Sequence, residues 1–235
     1  MQPGFFYFPH RKDSPTSMKW FVCLRALLGP DPAREKGERG ENQVAARLAE
    51  KGWFRVKGLC LRNLYLPAGE NATTEVDMIY LTRKGIYVIE SKNYTGRIYG
   101  DEDRPQWTAA VYAGRGWLGR VKTEKHSLYN PIWQNAGHMR ALSRLVGPEV
   151  PLWSVIVFSG RCRLADVRWD RDDTAVCRVE ELPRVLRKLG RGKPLSWREV
   201  EDLYRRLEPY TQVSWFQKQA HIRQVKEKER ARRGR

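Results

Sequence analysis

Seven residues, Ile86-Tyr87-Val88-Ile89-Glu90-Ser91-Lys92, constrain the fold of this chain more than any other stretch. β-Branched and aromatic residues occupy both faces of the run as far as Ile89. That is the composition of the strongest strand in the chain, and Ile86 and Val88 should face a core or a helix layer. Alternation carries Ile86, Val88, Glu90 and Lys92 along one face. A carboxylate and an ammonium at the end of a buried face are costly to desolvate unless each has a partner. The strand is therefore predicted both to organise the core and to present charge at its C-terminal end.

Its surroundings follow from turn and cap chemistry. Arg83-Lys84-Gly85 reads as a tight turn, so the strand over 86–92 forms an antiparallel hairpin with a strand over 73–81. On that partner, alternation predicts Asp77 and Ile79 on one side and Val76, Met78 and Tyr80 on the other. Upstream, a helix over 38–51 is closed by Gly52 and precedes a mixed strand over 54–66 that ends at Pro67. Glu41 falls on the inward stripe of that helix with Val44, Ala45 and Leu48, whereas Glu38 reads as a first-turn acid favoured by the helix dipole. Short strands over 97–99 and 107–112 flank the acidic turn Asp101-Glu102-Asp103. Asn130 caps and Pro131 opens a helix that runs to about 146, followed by a buried strand over 152–158. A strand over 175–179, a helix over 180–189 and a final helix begun by the Ser196/Glu199 capping box complete the order. Helix–strand–strand–strand–helix–strand predicts an α/β sandwich, a mixed sheet flanked by helices with extra C-terminal helices.

Charge narrows the partner. The chain of 235 residues has 44 Lys+Arg and 27 Asp+Glu, a net charge of +17. Residues 217–235 contribute eight Lys/Arg against two Glu, and residues 1–36 six against three, which leaves +8 in the body between them. Such basicity predicts a polyanionic partner, and Lys226, Lys228, Arg230, Arg232 and Arg233 of the tail are candidate phosphate-backbone contacts. No apolar run reaches the ~18–20 residues of a membrane span. The apolar stretch at 20–28 is short, carries Arg25, and reads as an amphipathic helix rather than a secretory signal. Four scattered cysteines with no CxxC pair predict a reducing, cytoplasmic setting. The organisation expected is an extension over 1–36 ending in a linker at 32–36, a core over 37–160, an extension over 161–216 and a basic tail over 217–235. Nothing in the sequence fixes an oligomeric state.

If the hairpin register sets Asp77 beside Glu90, two carboxylates converge, and one loses its charge unless a cation sits between them. A hard divalent ion, Mg²⁺ with Mn²⁺ as substitute, suits such oxygen donors. The spacing Asp-x(12)-Glu-x-Lys then supplies what metal-assisted phosphodiester hydrolysis needs: acids to fix the ion, and Lys92, two residues and about 7 Å along the strand from Glu90, to orient water, take its proton or steady the phosphate. Four blocks, 37–41 (Gly-Glu-Arg-Gly-Glu), 75–79 (Glu-Val-Asp-Met-Ile), 87–96 (Tyr-Val-Ile-Glu-Ser-Lys-Asn-Tyr-Thr-Gly) and 130–134 (Asn-Pro-Ile-Trp-Gln), occur in one order. Together they resemble the nuclease-related domain family, which is similar to the PD-(D/E)XK, or restriction-endonuclease-like, superfamily. Val76 stands where the superfamily's name has proline. The resemblance implies a restriction-endonuclease-like core and a nuclease, with DNA a closer match than RNA. It further implies Asp77, Glu90 and Lys92 as catalytic centre, Glu41 as a third acid on the metal, and Gln134 close to the site.

Plainer readings stand beside these. Glu90 and Lys92 alone would be a same-face ion pair, Gln134 a first-turn helix residue, and the tail a solvated charge run. His138 shares a helix face with Gln134 and is read as a packing residue within reach of the site; it and His126 are too isolated for metal ligation. A non-catalytic module docking nucleic acid or protein on the same fold is the alternative function, and peripheral membrane anchoring by 20–28 and the tail a third.

Overall fold

The computed structural model describes residues 32–50, 56–69, 72–115 and 120–212, with the single positions Arg223 and Glu227. The predicted 20–28 helix and the tail cations Lys226, Lys228, Arg230, Arg232 and Arg233 lie outside the described residues. The apolar strand over 86–92 lies at the centre of the larger sheet. It is β3 (Gly85–Asn93), and its Ile86 to Glu90 are all buried. Its sheet has the order β1-β2-β3-β7-β9. β1 (Gly58–Pro67), β2 (Thr73–Thr82) and β3 form an antiparallel meander. β7 (Leu152–Ser159) and β9 (Thr174–Arg178) add in parallel.

Helices cover both faces. On one, α1 (Pro32–Ala49) sets Val44, Ala45 and Leu48 against Met78, Tyr80, Tyr87, Ile89, Val155 and Val157, beside α3 (Leu182–Lys188). On the other, α2 (Pro131–Val146) and α4 (Trp197–Leu207) cover Ile79, Leu81, Ile86 and Val88. The α/β class and the flanking helices are as predicted. α1, however, begins six residues before Glu38, so that the expected linker at 32–36 is helical. Pro32 at its first position is preorganised for a helix, and Glu35 adds an acid in the first turn.

A second sheet, order β6-β5-β4-β8, was only half anticipated. β4 (Gly96–Asp101) and β5 (Gln106–Arg115) extend the two predicted strands. β6 (Val121–Tyr129) and β8 (Cys162–Arg168) were not foreseen. β6 is exposed over its first seven residues and polar on both faces, so it carries no apolar alternation to read. Its lysines suit an edge strand, where charge discourages further pairing. In β8 the register shifts between Ile98 and Tyr99 of its partner β4, which breaks the alternation of Cys162, Leu164 and Val167.

The two sheets are one continuous construction. β3 passes into β4 through Tyr94-Thr95, and β7 into β8 through Gly160-Arg161, and the strands remain parallel neighbours in both sheets. Each crossing turns on a glycine with positive φ, Gly96 at 87° and Gly160 at 83°. A Cβ at Gly96 would run into the Ala110 carbonyl oxygen, so only glycine fits that turn. Ile98, Trp107, Ala109 and Leu128 then pack with Ile132, Ile156 and Phe158 to seal the second sheet against the first.

Asn130 ties this seam to α2. Its Oδ1 accepts from Ile132 N at 2.9 Å as the helix cap, while Nδ2 donates to the carbonyls of Glu102 at 2.9 Å and Arg104 at 2.7 Å. Asn130→Ala is expected to cost roughly 2–4 kcal/mol, a lost cap plus unsatisfied buried carbonyls. Asn130→Asp should cost as much, because it keeps the cap acceptor but turns an oxygen toward oxygens. Urea titration checks both; a neutral Asp substitution would show that the Nδ2 contacts carry no weight.

Candidate active site at the end of β3

The hairpin ladder between β2 and β3 runs from Thr82↔Gly85 to Met78↔Ile89 and ends there. Continued one step beyond the last paired residues, that register would set Asp77 opposite Glu90, but the two are not ladder partners. In place of a backbone carbonyl, the Asp77 carboxylate accepts the Ser91 N–H, with Oδ2 at 2.9 Å. On its other side β1 departs too: Arg62↔Met78 and Leu64↔Val76 pair, but Asn63 between them does not, and it adopts a φ of 54°. Both neighbours thus leave β2 at Asp77, and the alternation of β2 inverts there. Val76 packs with Ile79 and Leu81, while Met78 and Tyr80 pack on the opposite face. The expected grouping of Val76 with Met78 and Tyr80 is corrected accordingly: a strand free of ladder bonds on both sides at one residue can turn over at that residue.

Glu90 and Lys92 lie on the α2 side, as alternation predicted, beside Ile156 and Phe158 of β7. Glu90 is 1% exposed. Its Oε1 accepts from Lys92 Nζ at 2.5 Å, and its Oε2 lies 3.1 Å from His138 Nε2. Lys92 Nζ also donates to Gln134 Oε1 at 3.0 Å, and His138 Nδ1 lies 2.8 Å from Thr74 Oγ1. A carboxylate only accepts, so His138 Nε2–H donates to Glu90, while Nδ1 of the same ring shares a hydrogen bond with the Thr74 hydroxyl. Helix α2 supplies Gln134 and His138 four residues apart on one face, so the Asn130-Pro131 cap aims both at the end of β3.

The charges sort themselves by partner. Burial would raise the Glu90 carboxyl, but Lys92 and His138 outweigh it and hold it down to about 2. Burial would lower the Lys92 ammonium, yet the carboxylates of Glu90 and Asp77 hold it above its ordinary value. Asp77 goes the other way: desolvation and then the charge of Glu90 push its carboxyl well up, against the smaller pull of Lys92 and the Ser91 N–H. Glu41, half-buried on α1, has Oε2 3.3 Å from Arg62 Nη2, and burial still raises it.

Of the sequence candidates, Glu90, Lys92 and Gln134 share direct hydrogen bonds, and Asp77 joins them through Ser91 and by its charge. Glu41 is felt at Asp77 electrostatically but is held by Arg62. Thr74 was missed, because its contact with His138 spans 64 residues of sequence and no local pattern marks it. The same is true of Arg62. Among the described residues no group of three or more His, Cys, Asp or Glu side chains is assembled around a common point. The donor chemistry still fits a hard divalent ion. Asp77 is a buried acid whose ionised form burial and the charge of Glu90 disfavour, so a cation there would relieve it, and the hydroxyl of Ser91 is buried without a hydrogen-bond partner among the described residues. Mg²⁺ is commonly held by only one or two carboxylates, the rest of its shell being water or substrate phosphate.

Comparison with known proteins agrees with the blocks read in the sequence. A family model for a nuclease-related domain matches residues 36–159. An uncharacterized protein of Bacillus anthracis is 27% identical over 186 residues, covering 78% of this chain and 80% of its own length. No solved structure gives a significant match. No helix among the described residues is long and apolar enough to cross a membrane.

Proposed function

Because the chain belongs to the nuclease-related domain family, we propose that it is a divalent-metal-dependent nuclease that hydrolyses phosphodiester bonds of nucleic acid, DNA before RNA, in a reducing cytoplasmic compartment. The observation that carries this reading is the gathering of Asp77, Glu90, Lys92 and Gln134 at the point where β2 and β3 part. Asp77 and Glu90 would hold the ion, with Glu41 within electrostatic reach. When bound there, Mg²⁺ or Mn²⁺ supplies positive charge against the phosphodiester and eases deprotonation of the attacking water.

The chain's own residues divide the remaining work. Lys92 is kept charged by two carboxylates, so it serves as a cation and hydrogen-bond donor to a phosphate oxygen or a water, and not as the base. Gln134 fixes its direction by accepting a hydrogen bond from the ammonium. His138 hydrogen-bonds the second Glu90 oxygen and is itself oriented by Thr74, so the direction of the carboxylate is set.

Purified full-length protein is expected to nick or degrade DNA in Mg²⁺ or Mn²⁺ and not in EDTA. Lys92→Met should lower the rate by about a hundredfold, the loss typical of one transition-state donor. Activity equal in wild type and variant would mark it as a contaminant's. One observation favours a second reading, a non-catalytic docking module: both Glu90 oxygens are already engaged by protein groups. Titration of Mn²⁺ separates the two. A single site lost in Asp77→Ala supports the enzyme, and no binding supports the module.

A further inference from the structure

The outer face of the second sheet carries a cationic and aromatic surface that shares no residue with the carboxylate cluster. Register places Arg97 of β4 directly beside Arg163 of β8 on one side and Ala110 of β5 on the other, with Lys125 of β6 beyond Ala110. The three cations therefore form one row across four strands, about 14 Å long at ~4.8 Å per strand. All three are exposed, and among the described residues none pairs with a carboxylate. Tyr99 follows Arg97 on the same face and Tyr112 follows Ala110; they are 38% and 62% exposed. The register shift at Ile98/Tyr99 leaves Ala165 without a strand partner, and Arg97, Tyr99, Arg163 and Ala165 line a shallow recess of about 300 Å³. Asp166, opposite Tyr99, is taken up by Arg168 through two bonds of 3.0 and 3.1 Å.

Two features of this face need an explanation that folding does not give. Like charges directly opposite each other in a sheet destabilise it, yet Arg97 and Arg163 face each other with no acid between them. Large aromatic rings lie open on a surface whose reverse side has already supplied the packing, with Trp107, Ile98 and Ala109 buried there. An anion bridging the two guanidinium groups removes the first cost, and a flat apolar ring laid on Tyr99 removes the second.

We propose that this face is a docking surface for a single strand of nucleic acid, with a phosphate held between Arg97 and Arg163, an unpaired base stacked on Tyr99, and the strand continuing toward Lys125 and Tyr112. A single strand is favoured over a duplex because only unpaired bases offer their faces to a ring. Arg97 lies five residues beyond Lys92, so their Cα atoms are at most about 17 Å apart, which places the surface within a few nucleotides of the candidate active site. The inference takes its ligand class from the nuclease reading and adds where the strand lies.

Fluorescence anisotropy of a labelled single-stranded oligonucleotide, with full-length protein in EDTA across a salt series, tests it. Arg97→Ala with Arg163→Ala is expected to weaken binding at least tenfold and to flatten the slope of log K on log salt by about 0.7, the value for one phosphate of a single strand. Tyr99→Ala is expected to weaken binding about fivefold or more with the salt slope unchanged. All of these side chains are exposed, and a circular-dichroism melt confirms that each variant folds. Unchanged affinity and slope in the double variant overturn the proposal. An unchanged Tyr99→Ala, or a duplex probe bound as tightly as the strand, overturns its single-strand part. Cleavage assays keep the two readings apart. Sheet variants that bind as wild type while Asp77→Asn loses cleavage would remove the surface and leave the nuclease. Weakened sheet variants with unimpaired cleavage by Asp77→Asn would do the reverse. A wild-type protein that binds no strand at low salt removes both.

Discussion

Asp77→Asn is expected to abolish cleavage and, in EDTA at neutral pH, to make the protein more stable than wild type. The two effects have one origin. Asp77 sits where burial and the charge of Glu90 both penalise its ionised form, so its carboxyl titrates well above the ordinary value of 3.8. Between that ordinary value and the raised one, the folded protein binds more protons than the unfolded chain. Stability contributed by the protonated acid is therefore present below the unfolded value and is lost as pH rises through the folded one. Above the folded value the loss is complete, and the ion-free protein then carries an unrelieved charge. The amide keeps an oxygen for the Ser91 N–H and removes the charge, so the melting temperature should rise in EDTA. The difference from wild type should shrink as pH is lowered toward the carboxylate range. Adding Mg²⁺ or Mn²⁺ should stabilise wild type and leave the variant unmoved, because only a binder of the folded state shifts its melting. Cleavage should fall on the order of a thousandfold, the upper end for loss of one charge-stabilising group. Melting curves with and without ion, alongside a plasmid-nicking assay, check both arms. A destabilised variant would show that the Asp77–Ser91 bond is structural mortar, and undiminished cleavage would remove Asp77 from the chemistry.

Much of this site was legible because each part announces itself locally. The run 86–92 marks a strong strand, the Asn130-Pro131 pair marks a cap, alternation sets Glu90 and Lys92 on one face, and the resemblance of the four blocks adds Gln134. The pairing of Lys92 with Glu90, the plain reading of that dipeptide spacing, is present within the larger cluster and does not compete with it. His138, read as a packing residue, is buried and hydrogen-bonded, and its partners are site residues. What stayed hidden depends on contacts between distant segments. The inversion of β2 at Asp77 depends on a left-handed Asn63 on another strand. The capture of Glu41 depends on Arg62, 21 residues away. β6 is a strand because β5 pairs with it, not because it buries a face. Periodicity reports what one segment buries, and these features bury nothing on their own account.

Trp107→Ala is expected to cost about 3–5 kcal/mol, the range for deleting a large buried aromatic. The indole is 1% exposed and stacks on Phe158 at 6.2 Å with the rings 6° from parallel. Its Nε1 donates to the Asp101 carbonyl at 3.0 Å. Gly100 leaves the space it fills, since a Cβ there would collide with the indole ring. Phe158 belongs to the first sheet and pairs in register with Lys92, so the stack joins the second sheet to the strand that carries the candidate site. Because β4 and β8 are direct continuations of β3 and β7, both sheets should unfold in one transition. Urea titration followed by circular dichroism should therefore give a lower midpoint with an unchanged slope. Two separate transitions would mean that the second sheet folds as an appendage, and the link would then be absent. Trp107→Phe, which keeps a ring on Phe158 but loses the Nε1 donor, should recover most of the stability. Asn130 also donates to the Asp101 carbonyl, at 3.3 Å. Combined with Asn130→Ala, the loss should therefore depart from additivity, as expected for residues sharing a partner. Simple additivity would show that the turn after β4 does not couple the two, and that α2 and the second sheet reach the active-site strand independently.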